Sequence, residues 1–505
     1  MDHPIEFPTY DDHIRDLFTD KDIACMVSRS VDLATFEGVR SKAPRILSWV
    51  KSGRMPPPSE GRQWSPEQVQ TFENWIEKGH QKVRAYPIAP SSDARTRKDL
   101  LDLSQAEVDQ LKIAFQGLVD RDSDIKDKFS FFNLAGIHWY PGPDEYVHCR
   151  HHENEYNPWH RAYLMAFEDA LRSVEGCEDV TLPYWNILGD VLPKWVFEKP
   201  FHHYAYPHDL MDYSGANAHR KKGDVIGRNE ATEIRSLVFN RAYQLPEAIG
   251  RALGARTWEK FNGWSGVNAL HNAIIEAHDI GHGVCGDTIA SPATAAFDPL
   301  FWFFHCNWDR LWWEWQVSRN AATLDDFKDT LEEDDGWLDD KVANQLKPFN
   351  VRSRDMINLN DWNVSYDVPT DQISLAMDDL ALSTGRVFSE KAFKISARDK
   401  MSVRVKNINR LAIPGSFQID LVVDDVIIRS TRIFQPDEVA LCSNCQRKGI
   451  FSKDFLVDRD EVPAGAELKV QIQRSLPDGG VENVPLPAAG NPTVNIRLLL
   501  SQETE

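Results

Sequence analysis

The sequence predicts a multidomain α+β protein: a mainly helical core, preceded by a helical segment and followed by an antiparallel β-sandwich. Three observations carry this. The chain has 505 residues, more than one hydrophobic core normally organises. From about residue 99 to 345 apolar side chains recur at helical spacing, whereas from about Asn363 they alternate with polar ones and β-branched residues are frequent. Aromatic residues make up 10% of the chain and Trp occurs 16 times, which excludes disorder and supplies core walls.

Residues 1–90 read as short helices forming an N-terminal cap. The strongest break is Gly53-Arg54-Met55-Pro56-Pro57-Pro58, and Ser65-Pro66-Glu67 then starts the amphipathic VQTFENWIEKG. The segment resembles c-type cytochrome modules in Ile14-Arg15-Asp16-Leu17-Phe18, in the Gly53 to Pro56 turn and in Trp75-Ile76-Glu77-Lys78-Gly79. It has Cys25 but no C-x-x-C-H, so covalent haem attachment is not expected, and a cap or oligomerisation element is. Pro87 to Asp93 is a linker by composition.

Residues 91–367 form the predicted core. Ser104 with Glu107 three residues on is a capping box that opens a long helix. Helical patterns continue to about residue 345, interrupted by a loop-rich stretch from Pro193 to Gly227. His202, His203, His208 and His219 fall in that stretch without helical spacing and are expected at the surface. Residues 368–505 form the predicted β-sandwich, with FKISARDKMSVRVKNI, SFQIDLVVDDVIIRSTRIF, ELKVQIQRS and VNIRLLLSQ as its strand-like stretches.

The net charge of −20 opposes binding to nucleic acid or anionic lipid and leaves small neutral or cationic substrates. The first residues lack a basic and then apolar leader, and no run of eighteen apolar residues occurs, so the expectation is a soluble, cytoplasmic protein with no membrane partner. A homo-oligomer is compatible with such a chain. Seven cysteines are too few for a disulfide framework, and the odd number leaves at least one unpaired.

Histidines carry the chemistry. Phe297 to Gln316, FDPLFWFFHCNWDRLWWEWQ, sets His305 in an aromatic and helical run. Upstream, His278 and His282 stand four apart, which on a helix puts both imidazoles on one face. Further upstream lie His138, His151 and His160. His151 and His160 are nine apart, about 180° around a continuous helix, so they need different elements. Asn157-Pro158 is the expected break, with His151 on a loop and His160 near a helix start. Two triplets of neutral nitrogen ligands point to a pair of metal ions, and the lack of an evident carboxylate ligand favours copper over di-iron or magnesium.

These residues resemble the copper A and copper B signatures of the type-3 copper family of tyrosinases, catechol oxidases and molluscan-type haemocyanins. The matching motifs are C-x-H, eight residues, then W-H-R-x-Y, and H-x-x-x-H followed by D-P-x-F-W-x-x-H-x-N-x-D-R-L-W, within roughly residues 95–367. The resemblance implies a four-helix bundle holding a dicopper site, with His138, His151 and His160 on copper A and His278, His282 and His305 on copper B. His148, His152 and His271 are the runners-up.

It also implies a thioether between Cys149 and His151, and a shielding role for the β-domain. Cys442 and Cys445 correspond to a copper-loading C-x-x-C, with a structural disulfide or an idle thiol pair as the alternatives, and Phe451 or Phe455 would plug the entrance. The implied reaction uses O2 as co-substrate to hydroxylate monophenols at the ortho position and to oxidise o-diphenols to o-quinones. Catechol or o-aminophenol oxidation without monophenolase activity, an O2 carrier and a structural zinc protein are the alternatives. Where the family commonly has Asn after the first copper B histidine, this chain has Asp279, which with Glu276 is the candidate base for the phenolic proton. Gly283, after the second copper B histidine, is expected to leave the entrance uncrowded.

Overall fold

In the computed structural model the described residues are 4–5, 8–27, 29, 31–77, 80, 86, 88–124, 127–138, 150–211, 218–263, 274–341, 344–367, 400–439, 445–446, 449–463, 465–476 and 480–499. They fall into two compact units, residues 1–88 with 338–355, and residues 89–337 with 356–505.

The first unit is built on helices α1 (Asp20–Val27), α2 (Phe36–Lys51) and α3 (Pro66–Glu77). Thr35 caps α2 by accepting from the Gly38 N–H, as expected for a hydroxyl at a helix start. The helices close on Tyr10, Ile14, Phe36, Ile46, Phe72 and Trp75, with Phe72 and Trp75 fully buried and their rings 5.4 Å apart. Residues 338–355 join this unit because the Tyr86 N–H donates to the Pro348 carbonyl at 3.0 Å and Tyr86 bridges Phe349 in parallel.

The second unit begins with a short strand β1 (Arg95–Arg97) and then runs through α4 (Gln105–Asp120), α5 (Phe131–Gly136) and α6 (Tyr156–Arg172). The capping box at Ser104 is present, each of Ser104 and Glu107 satisfying the other's backbone N–H. Strands β2 (Leu210–Met211) and β3 (Ala218–Arg220) form a small hairpin in the loop-rich stretch. Helices α7 (Ala231–Val238), α8 (Leu245–Gly254), α9 (Trp258–Asn262), α10 (Ile274–Cys285), α11 (Leu300–Ser318) and α12 (Leu324–Lys328) follow, and β4 (Val364–Tyr366) returns to pair in parallel with β1. Among the described residues no helix is long and apolar enough to cross a membrane.

Helices α6 and α11 are buried on all sides over most of their length, so their charged residues must pair internally. Arg97 meets Glu168 at 3.2 Å and Asp309 at 3.3 Å, and Arg161 meets Asp309 at 2.6 Å while its guanidinium lies 3.8 Å over the Trp312 ring. Burial works to raise the Glu168 carboxyl, but Arg97 and Arg95 hold it below its usual value. Replacing Arg97 by Met strips these carboxylates of a buried cation and is expected to cost about 3–5 kcal/mol, read as a lowered calorimetric melting temperature. Cys306 belongs to this network and not to the histidines: its Sγ lies 3.7 Å from the Leu182 carbonyl and 3.9 Å from the Tyr366 hydroxyl.

The C-terminal part is antiparallel, with β5 (Lys400–Asn409), β6 (Phe417–Val423), β7 (Val426–Ile433), β8 (Ile450–Asp458), β9 (Leu468–Ser475), β10 (Val481–Asn483) and β11 (Thr493–Leu499). One sheet has the order β10-β9-β6-β7 and the other β11-β5-β8. Both sheets contribute to one apolar core containing Val403, Val405, Ile419, Leu421, Ile433, Phe455 and Ile472. Alternation along β8 buries Phe451, Lys453, Phe455 and Val457 on one face. A lysine at such a position needs a counter-charge, which lies on α10, and β7 packs against the same helix.

Candidate metal centre

Six histidines converge. His138 sits in the turn after α5, His151 in the turn before α6 and His160 in the opening turns of α6, where Pro158 is accommodated. Helix α10 carries His278 and His282 one turn apart, and α11 carries His305. All six are buried, His151 the most exposed at 7%. The His151 ring is 5.1 Å from His138, 5.2 Å from His160 and 5.2 Å from His278. His305 stacks on His160 at 4.3 Å and lies 5.1 Å from His278.

The ring nitrogens are sorted by the backbone around them. Nδ1 of His138 lies 3.1 Å from the Pro292 carbonyl, that of His160 2.8 Å from the Tyr156 carbonyl, and that of His282 2.7 Å from the Ile289 carbonyl. Each carbonyl accepts an Nδ1–H, which leaves the Nε2 lone pair for a metal. Nε2 of His138 and His160 and both ring nitrogens of His305 are buried without a hydrogen-bond partner, and Nε2 of His278 and His282 face each other at 2.8 Å. Burial pushes His138 down to about 3, and it holds His160, His282 and His305 well below the usual histidine range, so these rings are neutral at physiological pH.

His138, His160 and His305 bring one nitrogen each within 4.8 Å of one another, as do His278, His282 and His305. His305 therefore stands where the triplets meet, and the His151 ring closes the first. A cluster of buried, neutral imidazoles without carboxylate oxygens fits copper and not magnesium or calcium.

The acids separate in role. Asp279 reaches the centre: Oδ1 accepts from His278 Nδ1 at 2.9 Å, and Oδ2 accepts from His152 Nε2 at 3.0 Å and from the Phe434 backbone N–H at 3.1 Å. His152, a runner-up ligand in the sequence, thus supports Asp279. Glu276 turns away, because its Oε1 accepts from Thr431 Oγ1 at 3.0 Å and from Lys453 on the β-domain. That pairing explains the inward lysine on β8, and Glu276 Oε2 is left buried without a hydrogen-bond partner.

The aromatic ring at the centre is Phe434, which stacks on His282 at 3.9 Å and 13° and lies 5.1 Å from His151. Phe451 and Phe455, expected here, are instead buried in the sandwich core, since strand alternation turns them inward. The space beside Gly283 is not open either: a β-carbon there would collide with the Arg432 side chain. Arg432 lines a polar cavity of ≈ 200 Å³ with Arg220, Asp287 and Asp437.

Sequence reasoning missed Phe434, Arg432 and Lys453. Only Lys453 carried a local signal, as a charge on the apolar face of a strand. Cys149, Cys442, His148 and His271 lie outside the described residues. Cys445 is disulfide-bonded. His203 is exposed and His202, His208 and His219 are half-buried, away from the converging set.

A family model described as the common central domain of tyrosinase matches residues 128–196 and 191–318, the stretch that carries all six histidines. The tyrosinase of Aspergillus oryzae is 24% identical over 507 residues, covering 72% of this chain and 89% of that protein. Hemocyanin 1 of Megathura crenulata is 28% identical over 287 residues, covering 54% of this chain but 7% of its own length. The solved tyrosinase of Burkholderia thailandensis aligns with a TM-score of 0.57 at 18% identity, over 80% of this chain and 100% of that one, a likeness of fold. Residues 128–318, which gather the histidines, are a tyrosinase-type central domain of the type-3 copper family.

Proposed function

We propose that the chain is a tyrosinase-type phenol oxidase that binds two copper ions and uses O2 to hydroxylate monophenols at the ortho position and to oxidise o-diphenols to o-quinones. The observation that carries this reading is the Phe434 ring lying flat on His282, because a slot that seats one benzene ring against a ligand imidazole is sized for a phenol. His138, His151 and His160 would hold one copper, and His278, His282 and His305 the other. Bound copper supplies the electron transfer to O2 that amino-acid side chains cannot.

The remaining tasks belong to the chain. Phe301, Phe304 and Trp308 wall the site and keep it dry, with Phe301 4.2 Å from His305 and Phe304 4.8 Å from His282. Asp279 orients His278. In balance, a monophenol and one O2 give an o-quinone and one water, and two o-diphenols and one O2 give two o-quinones and two waters.

One observation favours a second reading, catechol or o-aminophenol oxidase without monophenolase activity. Both Asp279 oxygens already accept hydrogen bonds, and Glu276 Oε1 is engaged by Thr431 and Lys453 of the β-domain, so of the two acids only Glu276 Oε2 is without a hydrogen-bond partner, on a carboxylate drawn toward the β-domain. Oxygen uptake on a monophenol and on the matching catechol, with metal analysis of the same sample, separates the readings. Uptake on both with two coppers per chain is the expected result. Uptake on the catechol alone selects the second reading, oxygen binding without turnover a carrier, and zinc in place of copper overturns both.

A further inference from the structure

We infer that Arg410 of the β-domain is a positioning residue for His278, acting through His152 and Asp279 to fix which ring nitrogen of His278 is offered to metal. This rests on the dicopper reading of the site. Arg410 follows β5 in a tight turn, Arg410–Ala412, and is fully buried. Its Nε donates to Gln435 Oε1 at 2.8 Å, one terminal nitrogen lies 3.3 Å from His152 Nδ1, and the other lies 3.6 Å from Cys445 Sγ.

A guanidinium only donates, so His152 Nδ1 accepts and the ring proton of neutral His152 sits on Nε2. That proton points at Asp279 Oδ2, 3.0 Å away. Asp279, an acceptor throughout, takes the His278 Nδ1–H at 2.9 Å, and His278 Nε2 is left as a lone pair beside His282 Nε2. Arg410 thereby fixes the proton of His152 on Nε2, that N–H holds Asp279 Oδ2 in place, and Oδ1 is left aimed at His278 Nδ1; the carboxylate accepts in any case, so what the path supplies is its placement.

Two further features agree. His152 has a left-handed backbone, φ +65°, a conformation costly for a side-chain-bearing residue and kept only where its surroundings hold it. The Arg410 contact supplies that hold, directly beside the loop-borne His151. Second, Asp279 and Arg410 are both wholly buried, and the Asp279 carboxylate favours the charged form of the Arg410 guanidinium.

The test uses the full chain, metal-free and 15N-histidine labelled, with long-range imidazole spectra reporting the protonated nitrogen of His278. In the unaltered protein His278 is expected as the Nδ1–H form. Arg410→Met should convert it to a mixture of forms and weaken copper retention at the His278 site about 10–100-fold by equilibrium metal titration. Arg410→Lys, which keeps charge but not reach, should restore retention in part. Arg404→Met, which removes an exposed β-domain pair with Asp454, should change neither.

Should Arg410→Met not fold, His152→Phe cuts the same path while leaving the cation in place and should give the same shift. An Nε2–H form in the unaltered protein, or an unchanged His278 spectrum in the folded variants, overturns the inference. Because the tautomer is read without metal, failure of the dicopper reading would show separately, as absence of copper binding by the unaltered chain.

Discussion

Replacing His305 by alanine leaves the chain with at most one tightly bound copper and lowers quinone formation on the order of 1000-fold, about 4 kcal/mol of lost transition-state stabilisation. The size follows from position. His305 lies within nitrogen-to-nitrogen reach of both His138 with His160 and His278 with His282, so its loss opens the place where the triplets meet. Both of its nitrogens are buried and unpartnered, so no protein hydrogen bond is given up when metal binds. Its ring also fills space between Phe301 at 4.2 Å and His160 at 4.3 Å, and alanine there leaves a cavity. His305→Gln, which preserves most of the volume, separates the two effects: copper content should fall in both variants, the melting temperature mainly in the first. Full copper content with full activity in His305→Gln would remove His305 from the ligand set.

The convergence of the six histidines was legible in the sequence because they are placed by local geometry. Spacing of four on α10 sets His278 and His282 on one face, and the break near Pro158 lets His160 face inward while His151 stays on a turn. The β-domain contacts were not legible for the opposite reason. Alternation in β8 fixes that Phe451, Lys453 and Phe455 point to one side, but that this side meets the sandwich core at the phenylalanines and α10 at Lys453 depends on docking. Phe434 stands just past the end of β7, where alternation no longer says where a side chain goes. Glu276 lies near His278 in sequence, yet two residues along a helix is a rotation of about 200°, which sets its Oε1 on Thr431 and Lys453. A lysine among apolar neighbours on a strand face, as Lys453 is, implies a buried acid opposite.

Phe434→Ala is expected to raise kcat/KM of the full chain on o-diphenols by roughly 30-fold or more without changing its copper content. Phe434 is 2% exposed, lies flat on His282, and its backbone N–H donates to Asp279, so on the phenol-oxidase reading the β-domain holds an aromatic ring in the place proposed for the substrate ring. Burying a phenylalanine contributes about 2–3 kcal/mol, and aromatic stacking adds about 1 kcal/mol. Turnover requires this ring to withdraw, and a site open in only a small fraction of molecules shows its apparent affinity reduced by that fraction. Alanine removes most of the ring's hold while keeping the backbone bond to Asp279, so the gain should appear chiefly in KM. Phe451→Ala provides the contrast. It removes a comparable ring from the sandwich core, so it should lower stability by about 3–5 kcal/mol while leaving KM unchanged in the protein that remains folded. Activation by Phe451→Ala and none by Phe434→Ala would mean that the ring on His282 is a wall of the site and not its gate.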